Sequence, residues 1–256
     1  METITSLNNN RIVMYSKLKD KKYRDEYKLF LLENYKLIVE AIKRGENIES
    51  IIILDEYKDK FPSVIKVASD KIIIVNKQIF SKLSDTVTSQ GIIAIIKIKD
   101  QISLSSLSGK TLVLDRLQDA GNVGTLLRSA QGFGFENIVL IDSVDIYNTK
   151  VIRSSGGSIF SLNFIKTSEK ELLFEIKKNN FAVFVADMNG ENLYTIEEFP
   201  ANLMLVIGNE GQGVSSHIEE SATNNIMVPM SKNLESLNAA VSGSIIMSYI
   251  SSKNLI

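Results

Sequence analysis

Cysteine is absent from this 256-residue chain, which excludes disulfides, thiolate metal sites and a cysteine nucleophile. Histidine occurs once, as His217, which rules out a multi-histidine metal centre. Its surroundings, GVSSHIEESA, read as a surface helix, so His217 is expected to be an exposed helix residue. No apolar run approaches the roughly 18 residues a membrane-spanning helix needs. The amino-terminal METITSLNNNR lacks the apolar segment of a secretory signal. The expectation is a cytoplasmic protein that enters no membrane and holds no metal. Net charge is nearly absent too: −1, which does not advertise a nucleic-acid partner. With 44% hydrophobic and 23% charged residues, the chain has the composition of a soluble globular protein, and its length suits one large or two ordinary domains.

The distribution of charge says more than its total. Residues 1–100 hold 18 basic and 14 acidic side chains, whereas the remainder holds 11 and 16. The first 30 residues alone carry seven Lys or Arg against four acids. The amino-terminal part is therefore the better candidate for a surface that meets a phosphate backbone. A solvated helix face of mixed charge has the same composition.

Residues 6–28 read as a basic, helix-rich segment whose apolar face is sparse: Tyr15, Leu18, Tyr23 and Tyr27. A short strand at Leu29–Leu32 leads into an amphipathic helix in which Leu37, Ile38, Ala41 and Ile42 recur at helical spacing, with Gly45 as its stop. Buried strands are predicted at Ile51–Leu54, Ile72–Val75 and Gly91–Ile98, with a helix at Lys77–Leu83. Strands alternating with helices make residues 1–100 a small α/β or α+β layer structure. The polar, Ser-rich stretch KDQISLSSLSG, residues 99–109, holds the domain boundary, with 101–109 as the predicted linker, and residues 110–256 form a second α/β domain.

That second domain opens with a buried strand at Leu112–Leu114, followed by DRLQDAGNVGTLLRSAQGFG. Asn122 reads as a helix N-cap, and Val123, Leu126, Leu127 and Ala130 form an apolar stripe. Arg128 lies off that stripe, one turn after Gly124, and helical side chains lean toward the N-terminus. A guanidinium beside the free N–H groups of a helix start makes a phosphate-binding corner. Strands are also expected at Asn137–Ile141 and Phe181–Ala186, and a helix at Glu169–Lys178. The unbroken apolar run Leu203–Ile207 reads as a strand buried on both faces. It ends at Gly208, Gly211 and Gly213, where a missing Cβ lets a ligand approach backbone. A last apolar run, Ile226–Val228, ends at Pro229. SKNLESLN then leads into a helix rich in small residues, Ala239 to Ser244.

Three of these stretches together resemble the signature motifs of the SpoU-type RNA ribose 2′-O-methyltransferases, a knotted α/β class. They are Asn122, Gly124 and Arg128; the GNEGQG of Gly208–Gly213; and Val228-Pro-Met230 with Ser236-Leu-Asn238. FLLENYKLIVEAI and LSDTVTSQGIIAII are similar to phrases of the ribosomal-protein-like RNA-binding domain that often precedes the methyltransferase domain; Asn34 stands where relatives often have a glycine, a minor departure because asparagine also tolerates left-handed backbone. YNTKVIRSSGGSIF resembles a fourth family phrase. Its Arg153 and Ser154 are candidates for RNA phosphate, and Ser155–Ser158 reads as close helix packing. The resemblance implies a trefoil-knot domain, S-adenosylmethionine as cofactor, RNA (ribosomal RNA first) as substrate and a homodimer. It also implies site residues: Arg128, Asn122, Glu210, Ser236 and Asn238 for catalysis, and Gly208, Val228, Met230 and Leu237 against the cofactor.

A ribose hydroxyl must be aligned with the methyl donor and its developing charge stabilised. Arginine is effectively always protonated, so Arg128 suits clamping of a phosphate better than proton abstraction. Glu210 and Asn238 can orient the hydroxyl or hold Arg128, and Ser236 can alternatively cap the last helix. GNEGQG does not fit dinucleotide spacing. Other readings stay open on sequence alone: a transfer-RNA methyltransferase, a non-catalytic RNA-binding or ribosome-assembly factor on the same scaffold, or an unrelated phosphate-binding α/β enzyme.

Overall fold

The computed structural model describes residues 1–253 apart from Val87, Lys232 and Glu235. In chain order the first elements are β1 (Glu2–Ile4), α1 (Asn10–Lys17), α2 (Lys21–Tyr27), β2 (Leu29–Leu32), α3 (Tyr35–Lys43) and β3 (Ile48–Leu54). Next come α4 (Pro62–Ala68), β4 (Ile72–Val75), α5 (Lys77–Leu83), β5 (Ile92–Lys97), β6 (Lys110–Asp115), α6 (Ala120–Gly132) and β7 (Asn137–Ile141). The chain continues with α7 (Thr149–Ser155), β8 (Asn163–Lys166), α8 (Glu169–Asn179) and β9 (Ala182–Asn192). It closes with β10 (Leu203–Ile207), α9 (Ser216–Glu220), β11 (Asn224–Met227) and α10 (Ala239–Lys253). Two compact units result: residues 1–99 with 147–160, and residues 100–146 with 161–256.

The first unit is built on a sheet of order β1-β4-β3-β5-β2 among the described residues. β1, β4 and β3 run parallel, and β5 is antiparallel to both β3 and β2. Isoleucine-rich strands buried on both faces force helices onto the sheet. On one face Ile12, Tyr15 and Leu18 join Ile79, Phe80 and Leu83 over Ile52, Ile73, Ile93 and Ile95. The basic segment that looked sparsely apolar thus supplies fully buried anchors. Helix α3 is capped by Asn34, whose side chain accepts the Leu37 N–H at 3.2 Å. Asn34 has φ 177°, an extended backbone, and its role is the cap. Gly45, at φ +72°, ends that helix as expected.

Residues 147–160, read from sequence as part of the second half, cluster with this first unit. Tyr147 and Phe30 rings lie 4.8 Å apart, and Lys99 Nζ donates to the Phe160 carbonyl at 3.0 Å. Gly157, at φ +94°, sits where a Cβ would come within 2.5 Å of the Glu40 carboxylate. The close packing expected at Ser155–Ser158 is seen: both serines are buried. Strands β1 and β8 and helix α4 carried no periodicity long enough to be read from sequence.

The second unit is an all-parallel sheet of order β11-β9-β10-β6-β7-β8 among the described residues, with β6 paired to β10 and β7. Its strand ends deliver the loops that matter: β6 leads to α6, β10 to the glycine loop, and β11 to the segment before α10. The small residues of α10 serve close packing within the chain. A Cβ on Gly243 would lie 2.6 Å from Leu126 of α6 and 3.3 Å from Ile207 of β10. Ser244 and Ser129 hydroxyls meet at 2.7 Å across the same seam. Helix α10 runs on to Lys253.

Candidate active site

Helix α6 begins three residues earlier than its sequence suggested. Asp119 is the N-cap, accepting the Asn122 N–H at 2.8 Å, so Asn122 sits inside the first turn. Aspartate three residues upstream is as good a cap as asparagine, and it wins because the helix can then include Ala120 and Gly121. The Asn122 side chain is thereby released for a different task. Its Nδ2 donates to Glu210 Oε1 at 2.9 Å, and its Oδ1 accepts from Asn238 Nδ2 at 2.9 Å. One amide therefore joins three segments remote in sequence: the start of α6, the glycine loop and the stretch before α10. Asn238 Oδ1 in turn accepts the Ala240 N–H at 2.9 Å. Asn238, and not Ser236, makes this bond at the start of α10.

The glycine loop is rigid by construction. Asn209 Oδ1 accepts the N–H groups of Gly211 and Gln212, both at 3.0 Å, and its Nδ2 donates to the Arg116 carbonyl at 2.9 Å. Asn209 and Gly213 bridge the base of the loop. A Cβ on Gly208 would lie 2.3 Å from the Gly213 carbonyl carbon. The room left by Gly208 is thus taken by the loop's own backbone. Gly213, at φ +69°, needs the left-handed region open to glycine. Beneath the loop lies Asp115, fully buried at the end of β6. It accepts Arg116 Nε at 3.0 Å and Nη2 at 2.9 Å, and also the Ser215 N–H at 2.8 Å. Arg116 Nη2 also reaches the Gly213 carbonyl at 3.3 Å. Its hydrogen bonds to Asp115 raise the guanidinium pKa above the ordinary arginine value, keeping this clamp charged.

Behind the loop lies a cleft of about 490 Å³, whose lining includes Gly208, Glu210, Ser236, Leu237 and Asn238 together with Asp187 and Met188. A recess of about 80 Å³ shares Asp187, Met188, Ser236 and Leu237 and adds Val228 and Met230. All four cofactor candidates therefore line adjoining hollows. Arg128 does not line them. It is exposed on α6, one turn after buried Gly124, with no hydrogen bond or ion pair among the described residues. Arg153 is exposed on α7, whereas the Ser154 hydroxyl is spent on the Lys150 carbonyl at 2.8 Å. His217 is 70% exposed, with Nδ1 2.8 Å from Glu169 Oε1.

Sequence reasoning missed Asp115 and Arg116, and it stopped β9 short of Asp187 and Met188. An acid closing the apolar run LVLD was a legible signal for Asp115. No periodicity marks the continuation of β9 beyond Ala186.

The SpoU rRNA Methylase family model matches residues 109–248, more than half the chain. The chain belongs to this family. It is an S-adenosylmethionine-dependent RNA methyltransferase. A model of the MRM3-like substrate binding domain matches residues 9–94. Over 252 residues the enzyme is 30% identical to the 23S rRNA (guanosine(2553)-2′-O)-methyltransferase RlmP of Bacillus subtilis, covering 98% of this chain and 99% of that one. A crystal structure of an RNA 2′-O ribose methyltransferase superposes with a TM-score of 0.81 at 28% identity, over 99% of this chain and 100% of its own. An rRNA methyltransferase from Sinorhizobium meliloti superposes with a TM-score of 0.88, over 100% and 98% of the two chains; at 22% identity it shows the shared fold. Among the described residues no helix is long and apolar enough to cross a membrane, and no cluster of three or more His, Cys, Asp or Glu is placed to hold a metal ion.

Proposed function

We propose that the enzyme methylates a ribose 2′-hydroxyl of 23S ribosomal RNA at the cleft beside the Glu210–Asn122–Asn238 chain. That hydrogen-bonded chain carries the reading, because it gathers polar groups of all three motifs at one place. The hollows suit the cofactor: about 490 Å³ is within the range of small-molecule clefts, and Ile207, Val185 and Leu237 give apolar walls. Gly208, Val228, Met230 and Leu237 would hold S-adenosylmethionine, which supplies a methyl group activated by a sulfonium. Arg128, with its guanidinium uncommitted, clamps the phosphate next to the reacting ribose and stabilises charge on the 2′-oxygen. The hydroxyl proton passes to that phosphate or to solvent. Glu210, Asn122, Asn238 and Ser236 orient the hydroxyl.

The amino-terminal unit selects the RNA, a role supported by the substrate-binding model over residues 9–94. A homodimer and a trefoil knot in the second unit complete the reading. Val241 on α10 and Met188 beside the cleft leave apolar surface exposed, which supports the dimer. An rRNA substrate supports a cytoplasmic location.

The test is calorimetric titration with S-adenosylmethionine and S-adenosylhomocysteine, followed by transfer of labelled methyl to protein-free 23S rRNA. Saturable binding and label in alkali-resistant dinucleotides are expected, since a 2′-O-methyl group blocks cleavage at that linkage. Label recovered only in base-modified nucleosides would sink the ribose assignment.

A further inference from the structure

We infer that the corner between α1 and α2 is an RNA-binding platform, on which Tyr23 stacks against an unpaired base and Lys17, Lys21 and Lys22 take the flanking phosphates. This rests on the reading of the chain as an rRNA methylase, and it names a surface that no signature motif contains. Tyr23 and Tyr27 lie one turn apart on the same face of α2. Their rings are stacked with centroids 6.1 Å apart and planes at 16°. Tyr27 also packs on the core, whereas Tyr23 is no member of that cluster. Lys17 Nζ lies 5.1 Å and Lys22 Nζ 5.7 Å from the Tyr23 centroid. Lys17, Lys21 and Lys22 are exposed and make no ion pair among the described residues.

The corner is held stiffly for a surface feature. Arg24, only 4% exposed, donates from Nη1 to the carbonyls of Leu18 at 2.7 Å and Lys19 at 2.8 Å. Asp20 is engaged as the cap of α2, accepting the Lys22 N–H at 2.9 Å. Lys19 fastens the corner to the segment after α5, through the Ser84 carbonyl at 2.8 Å and Asp85 at 3.1 Å. Asp25 and Glu26 offset Lys21 and Lys22 on α2, and across residues 17–26 four exposed lysines face three exposed acids. Ordered aromatic rings with unpaired ammonium groups beside them match the stacking-plus-phosphate chemistry of single-stranded RNA. A protein partner would need acids facing three lysines and gains nothing special from a stacked tyrosine pair.

The test uses the full chain with two probes, a protein-free 23S rRNA transcript and a 20-nucleotide oligouridylate. Tyr23→Ala should weaken RNA affinity about fivefold or more, and Tyr23→Phe should restore it, since base stacking needs the ring and not the hydroxyl. The Lys17→Ala, Lys22→Ala pair should reduce the slope of log affinity against log salt by about one to two. Calorimetric affinity for S-adenosylmethionine should stay unchanged in every variant, which separates a lost contact from a lost fold. Variants that bind RNA like a parent active in methyl transfer would overturn the platform alone. Weakened binding to whole ribosomal particles with unchanged binding to protein-free RNA would assign the corner to a protein partner and overturn it as well. A parent chain that neither binds RNA nor transfers methyl would overturn the platform and the rRNA reading together.

Discussion

Asn122 shows how a residue's role depends on which neighbour takes the competing one. With Asp119 capping α6, the Asn122 amide is free to donate to Glu210 and accept from Asn238. Asn122→Ala removes both bonds and should lower kcat about tenfold, with S-adenosylmethionine affinity within about twofold of the parent. Single-turnover methyl transfer beside calorimetry checks this. Arg128→Ala should reduce methyl transfer by about two to three orders of magnitude while leaving cofactor binding and the melting temperature unchanged, because the side chain has no partner to lose within the described residues. Near-parental activity in that variant would remove Arg128 from the mechanism. Leu237→Arg places a charge in the wall shared by both hollows and should abolish S-adenosylmethionine binding in a chain that still melts cooperatively.

Among elements, the glycine loop and α10 are both packed closely at a glycine, against backbone in the loop and against side chains at the helix. A Cβ at position 208 would meet the Gly213–Val214 backbone, which cannot rotate away. Gly208→Ala should therefore force the loop open, cost about 1–3 kcal/mol and weaken cofactor affinity in parallel. Gly243→Ala meets side-chain ends of Leu126 and Ile207, which can give, so a smaller loss of stability with cofactor affinity largely kept is expected. Chemical denaturation with and without cofactor separates the two outcomes; equal losses of affinity would contradict this account of the loop.

On the scale of the whole molecule, the interleaving of the chain governs what can be cut. Residues 147–160 belong to the first compact unit, where Tyr147, Gly157 and Phe160 meet Phe30, Glu40 and Lys99. A chain truncated to residues 110–256 keeps this segment without its partners, leaving Val151, Ile152 and Ile159 bare to water. Such a chain should retain measurable S-adenosylmethionine binding, lose RNA affinity and aggregate more readily than the full chain. Light scattering and calorimetry on the two lengths test this. Full RNA selection by the short chain would assign recognition to the second unit.

By itself the sequence determined the class of fold, most strands and the three motifs. Unbroken apolar runs such as Leu203–Ile207 have no stable place except inside a parallel sheet, and glycine spacing is a local property of the chain. It also named the candidate site residues, since the resemblance rests on short contiguous phrases. Only the tertiary structure decided what each does physically: that Asp119 rather than Asn122 caps α6, that Gly208 makes room for backbone, that Asp115 and Arg116 clamp the loop, and that α7 joins the first unit. Those outcomes turn on which distant groups come within hydrogen-bonding or contact distance, and no local periodicity encodes a meeting of residues about a hundred positions apart, such as Asn122 and Asn238.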